Sequence, residues 1–515
     1  MPKDSSDTLF TLIKSLKKSE KRYFKIAVQD DGDKKFAKLF DIIDKQSEHN
    51  DSEILNKDKT LKANQLSNMK AHLYNKILQN LRDYNSGTLP NIKIRDTIDH
   101  AEILFNKSLY SQCGEVIKKA KKMAVKSDNL ELRLEVLKWE KQMLAHSAAK
   151  DNVSRTDAVI KEVQEVTGRI NNINSFSNLQ FRLQSIYKKI GFIRNENDYK
   201  EIKKVFEEDI PYFVEANLSI GEKIGLYNLY IGYYFFIQDF ETGYEYAKKL
   251  VNIFDGQKTL ILSRLETYIN SLNNLLIAQN KLLKIREFQN TTRELRALNN
   301  LPSAYQNENI SLKLRKYTFV HEFNRLFLLG DFQGGVNLMT RINPGLETFI
   351  PQLDPHSRMI LFYKTACLYF GNSDFQIAIS WVQKVINSTE GDLREDIHGF
   401  ARILSLICHY ELGNMDLIQY HVRSTYRFLY KKEDLHQFQK YILNFLLKLN
   451  MSITEEELKN RFITLRNSLI PLSKDPYEKR AFIYFDIISW LESKIENRPI
   501  GDIVKQKAYA ILNKH

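Results

Sequence analysis

Residues 362–386 read FYKTACLYFGNSDFQIAISWVQKVI, and the fold turns on them. Tyr363, Ala366, Cys367 and Phe370 recur at three- and four-residue steps, which is one face of a helix. Gly371 suits a left-handed helix stop, and Ser373 or Asp374 suits the cap of a following helix. Phe375, Ala378, Ile379, Val382, Val385 and Ile386 then trace a second helical face. Two helices joined by a tight turn cannot bury their apolar stripes alone. They need further hairpins stacked against them.

Such hairpins recur in both directions. Downstream, Ile403, Leu406, Ile407 and Tyr410 lead into Gly413-Asn414-Met415, then Leu417, Ile418 and Val422. Upstream, Phe319, Phe323, Leu326 and Phe327 precede Gly330-Asp331-Phe332, and Tyr227, Tyr230, Tyr234 and Phe235 precede Gln238-Asp239-Phe240. Ala101, Leu104 and Phe105 precede Ser108-Leu109-Tyr110. The turn anchors Phe332 and Phe375 lie 43 residues apart, and Phe375 and Met415 lie 40 apart. Phe240 to Phe332 is 92 residues, or two units of 46, and Tyr110 to Phe240 is 130, or three units, with Tyr199 as one intervening anchor. A period drifting between 40 and 47 is the signature of a helical-hairpin array.

Gly330-Asp331-Phe332-Gln333-Gly334-Gly335 and Asp374-Phe375-Gln376-Ile377-Ala378 resemble the turn of a tetratricopeptide repeat. In that family an aromatic follows Gly-Asp, and a small residue three positions on lets the helices approach. Gly335, Ala378 and Gly243 stand where the small residue belongs, whereas Ile418 departs from the pattern. The family's Trp and Leu-Gly are mostly absent, and the period exceeds its usual 34. The chain is therefore similar to a divergent, long-hairpin relative over roughly residues 91–430. The resemblance implies first helices lining a concave face. One position there reads Phe235, Phe327, Phe370 and Tyr410, a column that serves a bound peptide or packs between repeats, as such stripes usually do. Carboxylate clamps in this family use Lys and Asn on neighbouring first helices. Asn228 and Asn324 are present but the lysines are not where the pattern puts them, so no C-terminal carboxylate clamp is expected.

Composition agrees with helices. The 515 residues hold only 19 Gly and 10 Pro, both below average usage, and no Pro lies between Pro90 and Pro211. Three cysteines, Cys113, Cys367 and Cys408, form no Cys-x-x-Cys, and the last two lie on apolar faces. Buried free thiols in a reducing compartment follow. The start, Met1-Pro2-Lys3-Asp4, lacks the basic-then-apolar order of a secretory signal, and no apolar run reaches membrane-span length. A cytoplasmic protein without membrane insertion is expected.

The net charge of +13 is uneven. Residues 1–90 hold 17 Lys and Arg against 13 Asp and Glu, residues 131–420 balance at 34 each, and residues 421–515 hold 17 against 11. Excess at both ends permits contact with an acidic partner, nucleic acid included. Lys14, Lys18, Lys21 and Lys25 form one basic stripe if their helix is continuous, and Ser19 is positioned to break it. Solvated lysines with no specific role account for the same pattern.

The organisation expected is an N-terminal module of short helices and one long helix over residues 1–90, the array over 91–430, and a helical cap over 431–515. Residues 130–170 and 178–210 are read as two further hairpins, and 343–356, with three prolines, as a long loop and hinge. Asp475-Pro476-Tyr477-Glu478 opens a helix running through Leu491, followed by a last helix near 501–513. The fold class is all-α, an α-solenoid of stacked hairpins with helical N- and C-terminal caps.

Catalytic signatures are missing. No phosphate loop, dinucleotide fingerprint or nucleophile elbow occurs, and His321-Glu322-Phe323-Asn324-Arg325 puts Arg where a zinc protease has its second His. No catalytic residue, metal ligand set or cofactor is assigned. The reading is a non-catalytic interaction scaffold holding a peptide or protein. The alternative is a regulator whose basic N-terminal module touches nucleic acid while the array senses a ligand.

Overall fold

The computed structural model describes residues 5–30, 34–87, 89–146, 152–190, 193, 195–388, 395–431, 436–449, 453–479, 482 and 485–513. Helices account for its regular structure, and no strand occurs among the described residues. The chain forms two compact units, residues 1–171 and 172–515.

In the first unit α1 (Ser5–Ser15), α2 (Lys18–Asp30), α3 (Lys34–Lys45), α4 (Asp51–Lys57) and α5 (Ala63–Ser86) enclose Leu9, Ile13, Phe24, Phe40, Ile43, Leu73 and Ile77. Asn50 caps α4 by accepting from the Glu53 amide at 3.1 Å. Next, α6 (Pro90–Asn106), α7 (Tyr110–Lys126) and α8 (Leu130–Ala145) pack in series around Ile94, Ala101, Cys113, Ile117 and Val136. The next helix, α9 (Asn152–Ile190), runs unbroken through the stretch read as the gap between two hairpins. No proline interrupts its hydrogen-bond ladder, although α6, α7 and α8 end in the same proline-free run. The division between units falls within α9.

The second unit continues the series of helical hairpins. It comprises α10 (Glu196–Asp209), α11 (Ile220–Phe236), α12 (Phe240–Asn252), α13 (Lys258–Ser263), α14 (Leu265–Lys281), α15 (Ile285–Ala297), α16 (Pro302–Gln306) and α17 (Glu308–Leu329). It continues through α18 (Phe332–Phe349), α19 (Pro355–Gly371), α20 (Phe375–Ile386), α21 (Glu395–Glu411), α22 (Met415–Lys431), α23 (Gln437–Leu447) and α24 (Glu455–Leu472). It ends with α25 (Ile487–Glu496) and α26 (Ile500–Leu512). Neighbours in sequence pack on each other, and first helices touch the next first helix: α14 on α17, α17 on α19, α19 on α21. This is an all-α solenoid.

Five hairpin turns of the second unit use the same stop. Gln238, Leu283, Gly330, Ser373 and Gly413 have φ of 61°, 53°, 64°, 66° and 72°. After each, an amide reaches back to the preceding helix: Asp239 to Tyr234, Lys284 to Gln279, Asp331 to Leu326, Asp374 to Tyr369 and Asn414 to His409, at 2.9 to 3.0 Å. That is the six-to-one bond of a left-handed helix stop. Consecutive stops lie 45, 47, 43 and 40 residues apart, so the period holds, and Leu283 marks the turn missing between Phe240 and Phe332.

Four expectations change in detail. The left-handed residue is Ser373, not Gly371. Gly371 serves packing instead, since a Cβ there would sit 2.3 Å from the Phe332 ring. The 343–356 loop is mostly helix: α18 carries Pro344 inside it and α19 starts at Pro355 behind the Asp354 cap. Tyr199 lies inside the first turn of α10, whose cap is Asn195. The helix that carries Leu491 starts at Ile487, capped by Asp486; Asp475 accepts from the Tyr477 and Glu478 amides, and residues 480, 481, 483 and 484 of the expected helix lie outside the described residues.

The C-terminal helices return along the turns of the array. Phe485 meets Phe370, and Trp490 meets Tyr410. Its indole donates to Glu411 at 2.6 Å. Further on, α26 packs on α15 and α17, where Gly501 lies against Gly330.

Candidate peptide-binding seam

The first helices α11, α14, α17 and α19 occupy the interior of the array. From Leu265 to Lys281 and from Ser311 to Leu329 every residue is buried or half-buried. Sheltered faces would ordinarily be apolar. These carry amides and charges that pair across successive hairpins, one repeat apart.

The seam begins at Asn228, which donates to the Ile224 carbonyl at 2.9 Å and accepts from the Asn274 amide at 3.3 Å. One hairpin on, Tyr317 donates to Asn270 at 3.4 Å, and a ring nitrogen of His321 lies 2.9 Å from Asn273 Oδ1. Lys313 pairs with Glu266. Asn324 stands 3.4 Å from the other His321 nitrogen and accepts from Lys364 Nζ at 2.6 Å. Lys316 reaches Ser357 Oγ at 3.1 Å and Asp354 at 3.6 Å. Helix periodicity explains the row: residues three and four apart on each first helix present side chains to the next.

Burial sets the protonation states. His321 is fully buried, and desolvation, helped by the Lys364 charge, lowers its pKa to about 3, so it is neutral at ordinary pH. Lys364 is half-buried over the Phe327 ring, 5.5 Å from its centroid. Desolvation lowers its ammonium to about 8. Its neighbour Cys367 is pushed up to about 12, chiefly by burial, so that thiol is inert. A neutral imidazole, five amides and an ammonium that holds its proton weakly make a hydrogen-bonding row.

The aromatic column lies beside the seam and is packed. Phe235 contacts Phe240, and Gly243 approaches its ring so closely that a Cβ would sit at 2.7 Å. Phe327 lies between Phe332 and Lys364. Phe370 is 2% exposed against Phe375 and Phe485, and Tyr410 lies against Phe462 and Trp490. Sequence reasoning missed Lys364: it is the lysine beside Asn324 on the neighbouring first helix, 40 residues on, three short of the 43-residue step between the turns of α17 and α19. The 45-residue step from Asn228 lands on Asn273, and the 47-residue step back from Tyr317 and His321 lands on Asn270 and Asn274.

In the first unit α1 ends at Ser15 and α2 starts at Lys18, so the lysine stripe is split. Lys14 donates to the Asp44 carbonyl at 2.6 Å, Lys21 pairs with the Asp44 carboxylate at 2.6 Å, and Lys25 pairs with Asp41 at 2.5 Å. Lys18 is exposed.

Among the described residues no three His, Cys, Asp or Glu side chains gather as a metal site requires, and Cys113, Cys367 and Cys408 are free and buried. No described helix is long and apolar enough to cross a membrane. Comparison with known protein families, with curated proteins and with solved structures finds no match to this chain.

Proposed function

We propose that the chain is a non-catalytic interaction scaffold of tetratricopeptide-like build, acting in the cytoplasm, that holds an extended peptide segment along the seam from Asn228 to Lys364. The observation that carries this reading is the row of side-chain amides repeated on successive first helices. An amide side chain offers the donor and acceptor of a peptide unit, so it bonds a main chain of any sequence. First helices spaced about 8–10 Å apart match about three extended residues per hairpin at about 3.3 Å each. From α11 to α19 is three such steps, so the ligand spans about eight residues.

The test is selection of extended peptides of about eight residues from a displayed random library. Enrichment on the native chain, lost in the Asn228→Ala, Asn324→Ala, Lys364→Ala triple variant and kept in Lys18→Ala, supports the reading. Equal enrichment on the triple variant refutes it. The regulator alternative, with Lys14, Lys18, Lys21 and Lys25 on nucleic acid, draws little support from lysines of which three are engaged by α3.

A further inference from the structure

Helix α22 is amphipathic in an unusual way. Ile418, Val422, Thr425 and Leu429 are buried, while the solvent side carries Tyr420, Arg423, Arg427 and Tyr430 at steps of three, four and three. Those steps place the four on one stripe. Tyr420 and Tyr430 are 72% and 70% exposed, more than a half-buried tyrosine packing role needs. Tyr426 lies beside Tyr430 with its ring nearly parallel, 8° between planes and 6.3 Å between centroids. Lys431 extends the stripe, and no acidic residue occurs from Leu417 to Lys431. Among the described residues Arg423, Arg427 and Lys431 are exposed and make no ion pair.

We propose that this face of α22 binds single-stranded nucleic acid, the arginines and Lys431 on phosphates and the tyrosines under bases. The two chemistries argue for one occupant. Cations with no ion pair among the described residues call for a polyanion, and the exposed rings beside them call for flat partners; a nucleotide strand supplies both. An acidic helix would satisfy the cations and leave the rings in water. From Tyr420 to Tyr430 the stripe spans about 15 Å, room for about four stacked nucleotides. The seam plays no part, so this reading stands or falls separately from the peptide reading.

The experiment is fluorescence anisotropy of labelled oligo(dT) and oligo(U), each about 20 nucleotides, with full-length protein at about 50 mM salt. Both oligomers bind, and affinity falls with salt at a log–log slope of about −2, as three single-strand phosphate contacts require. Tyr420→Ala and Tyr430→Ala each weaken binding about tenfold, whereas Tyr420→Phe and Tyr430→Phe keep it, because stacking needs the ring and not the hydroxyl. Arg423→Gln with Arg427→Gln flattens the slope by about 1.4. These side chains are exposed, so unchanged helical circular dichroism is the folding control. No binding, binding indifferent to both tyrosine truncations, or displacement by polyglutamate at equal charge would overturn the proposal. The last two outcomes would mean that the stripe recognises acidic polypeptide or charge alone.

Discussion

Replacing Gly330 by Ala tests the docking of the C-terminal helix. Gly330 closes α17 with φ of 64°, and a Cβ there would lie 2.5 Å from the Gly501 carbonyl oxygen and 2.9 Å from the Lys505 amide nitrogen. Both are backbone atoms of α26, so no side chain can swing aside. Ordinary contact starts about 0.9 Å further out, so α26 must lift by that much, and a gap of that size forfeits a quarter to a half of the dispersion contact across it. The face of α26 buries Ile500, Ile503 and Val504, worth roughly 2 kcal/mol each. A third of that sum is roughly 2 kcal/mol, and the left-handed backbone adds roughly 1 kcal/mol to the global cost. Gly413 is the matched control, with φ of 72° and nothing within 4 Å of its Cβ position.

Hydrogen exchange separates the two contributions. In Gly330→Ala the amides of residues 500–512 exchange about 30-fold faster, the kinetic equivalent of roughly 2 kcal/mol of easier opening. In Gly413→Ala they exchange as in the native chain, and denaturant unfolding alone registers the loss of roughly 1 kcal/mol. Exchange of 500–512 in Gly330→Ala within about threefold of native, or equal acceleration in both variants, refutes the account of how α26 is held.

Four further outcomes follow from the same geometry. Leu283 sits at φ of 53° and is 49% exposed, so Leu283→Gly raises the denaturation midpoint, by about 0.5 kcal/mol or more in stability. His321 takes no proton until about pH 3, whereas the unfolded imidazole titrates at 6.5, so stability falls as pH drops through that window, by up to about 1.4 kcal/mol per unit; His321→Gln flattens the profile, checked by urea titrations at several pH values. Lys364 titrates near 8 when folded against 10.5 unfolded, so its charge opposes folding below pH 8 and the opposition fades as pH rises towards 10.5; a side-chain NMR midpoint above 10 for Lys364 contradicts this. The Glu411 side chain, 7% exposed, accepts from Trp490 and pairs with Lys494, so Glu411→Ala costs about 2–3 kcal/mol and Glu411→Gln less, read by thermal melting.

The array was legible because its turns are chemically marked. Gly330-Asp331 and Gly413-Asn414 announce a left-handed stop followed by a cap, Asp374 stands at the cap of the turn between them, and the counts between Phe332, Phe375 and Met415 give the period. The turn at Leu283 was not legible, since a leucine in that conformation has no composition signal and is held only by the hairpin around it. Gly371 misled for the opposite reason. Glycine is the commonest helix stop, but here close approach of Phe332 demands it. For α9 the proline-free run after Pro90 permits a long helix without fixing its ends, since α6, α7 and α8 stop within the same run. At the seam Asn228 and Asn324 were found and Lys364 was not, because the 43-residue step between the turns of α17 and α19 carries Asn324 to Cys367, one helical turn past Lys364.

The aromatic column shows where a periodic pattern stops being informative. A ligand ladder and an inter-repeat core both require one large ring per hairpin at one position, so Phe235, Phe327, Phe370 and Tyr410 read the same either way. What decides is a part of the chain that shares no period with them. Phe485 and Trp490 lie 115 and 80 residues after Phe370 and Tyr410, yet they pack against those two rings. A partner reaching that end of the column has to displace Trp490 and its bond to Glu411 first. Asn228, Asn324 and Lys364 bond one another's neighbours through groups that are half-buried along the row, apart from Asn324, His321 and Ser357, and amide bonds exchange partners at small net cost. A ligand therefore enters more easily at the polar row than at the rings, and the polar row carries the peptide proposal for that energetic reason.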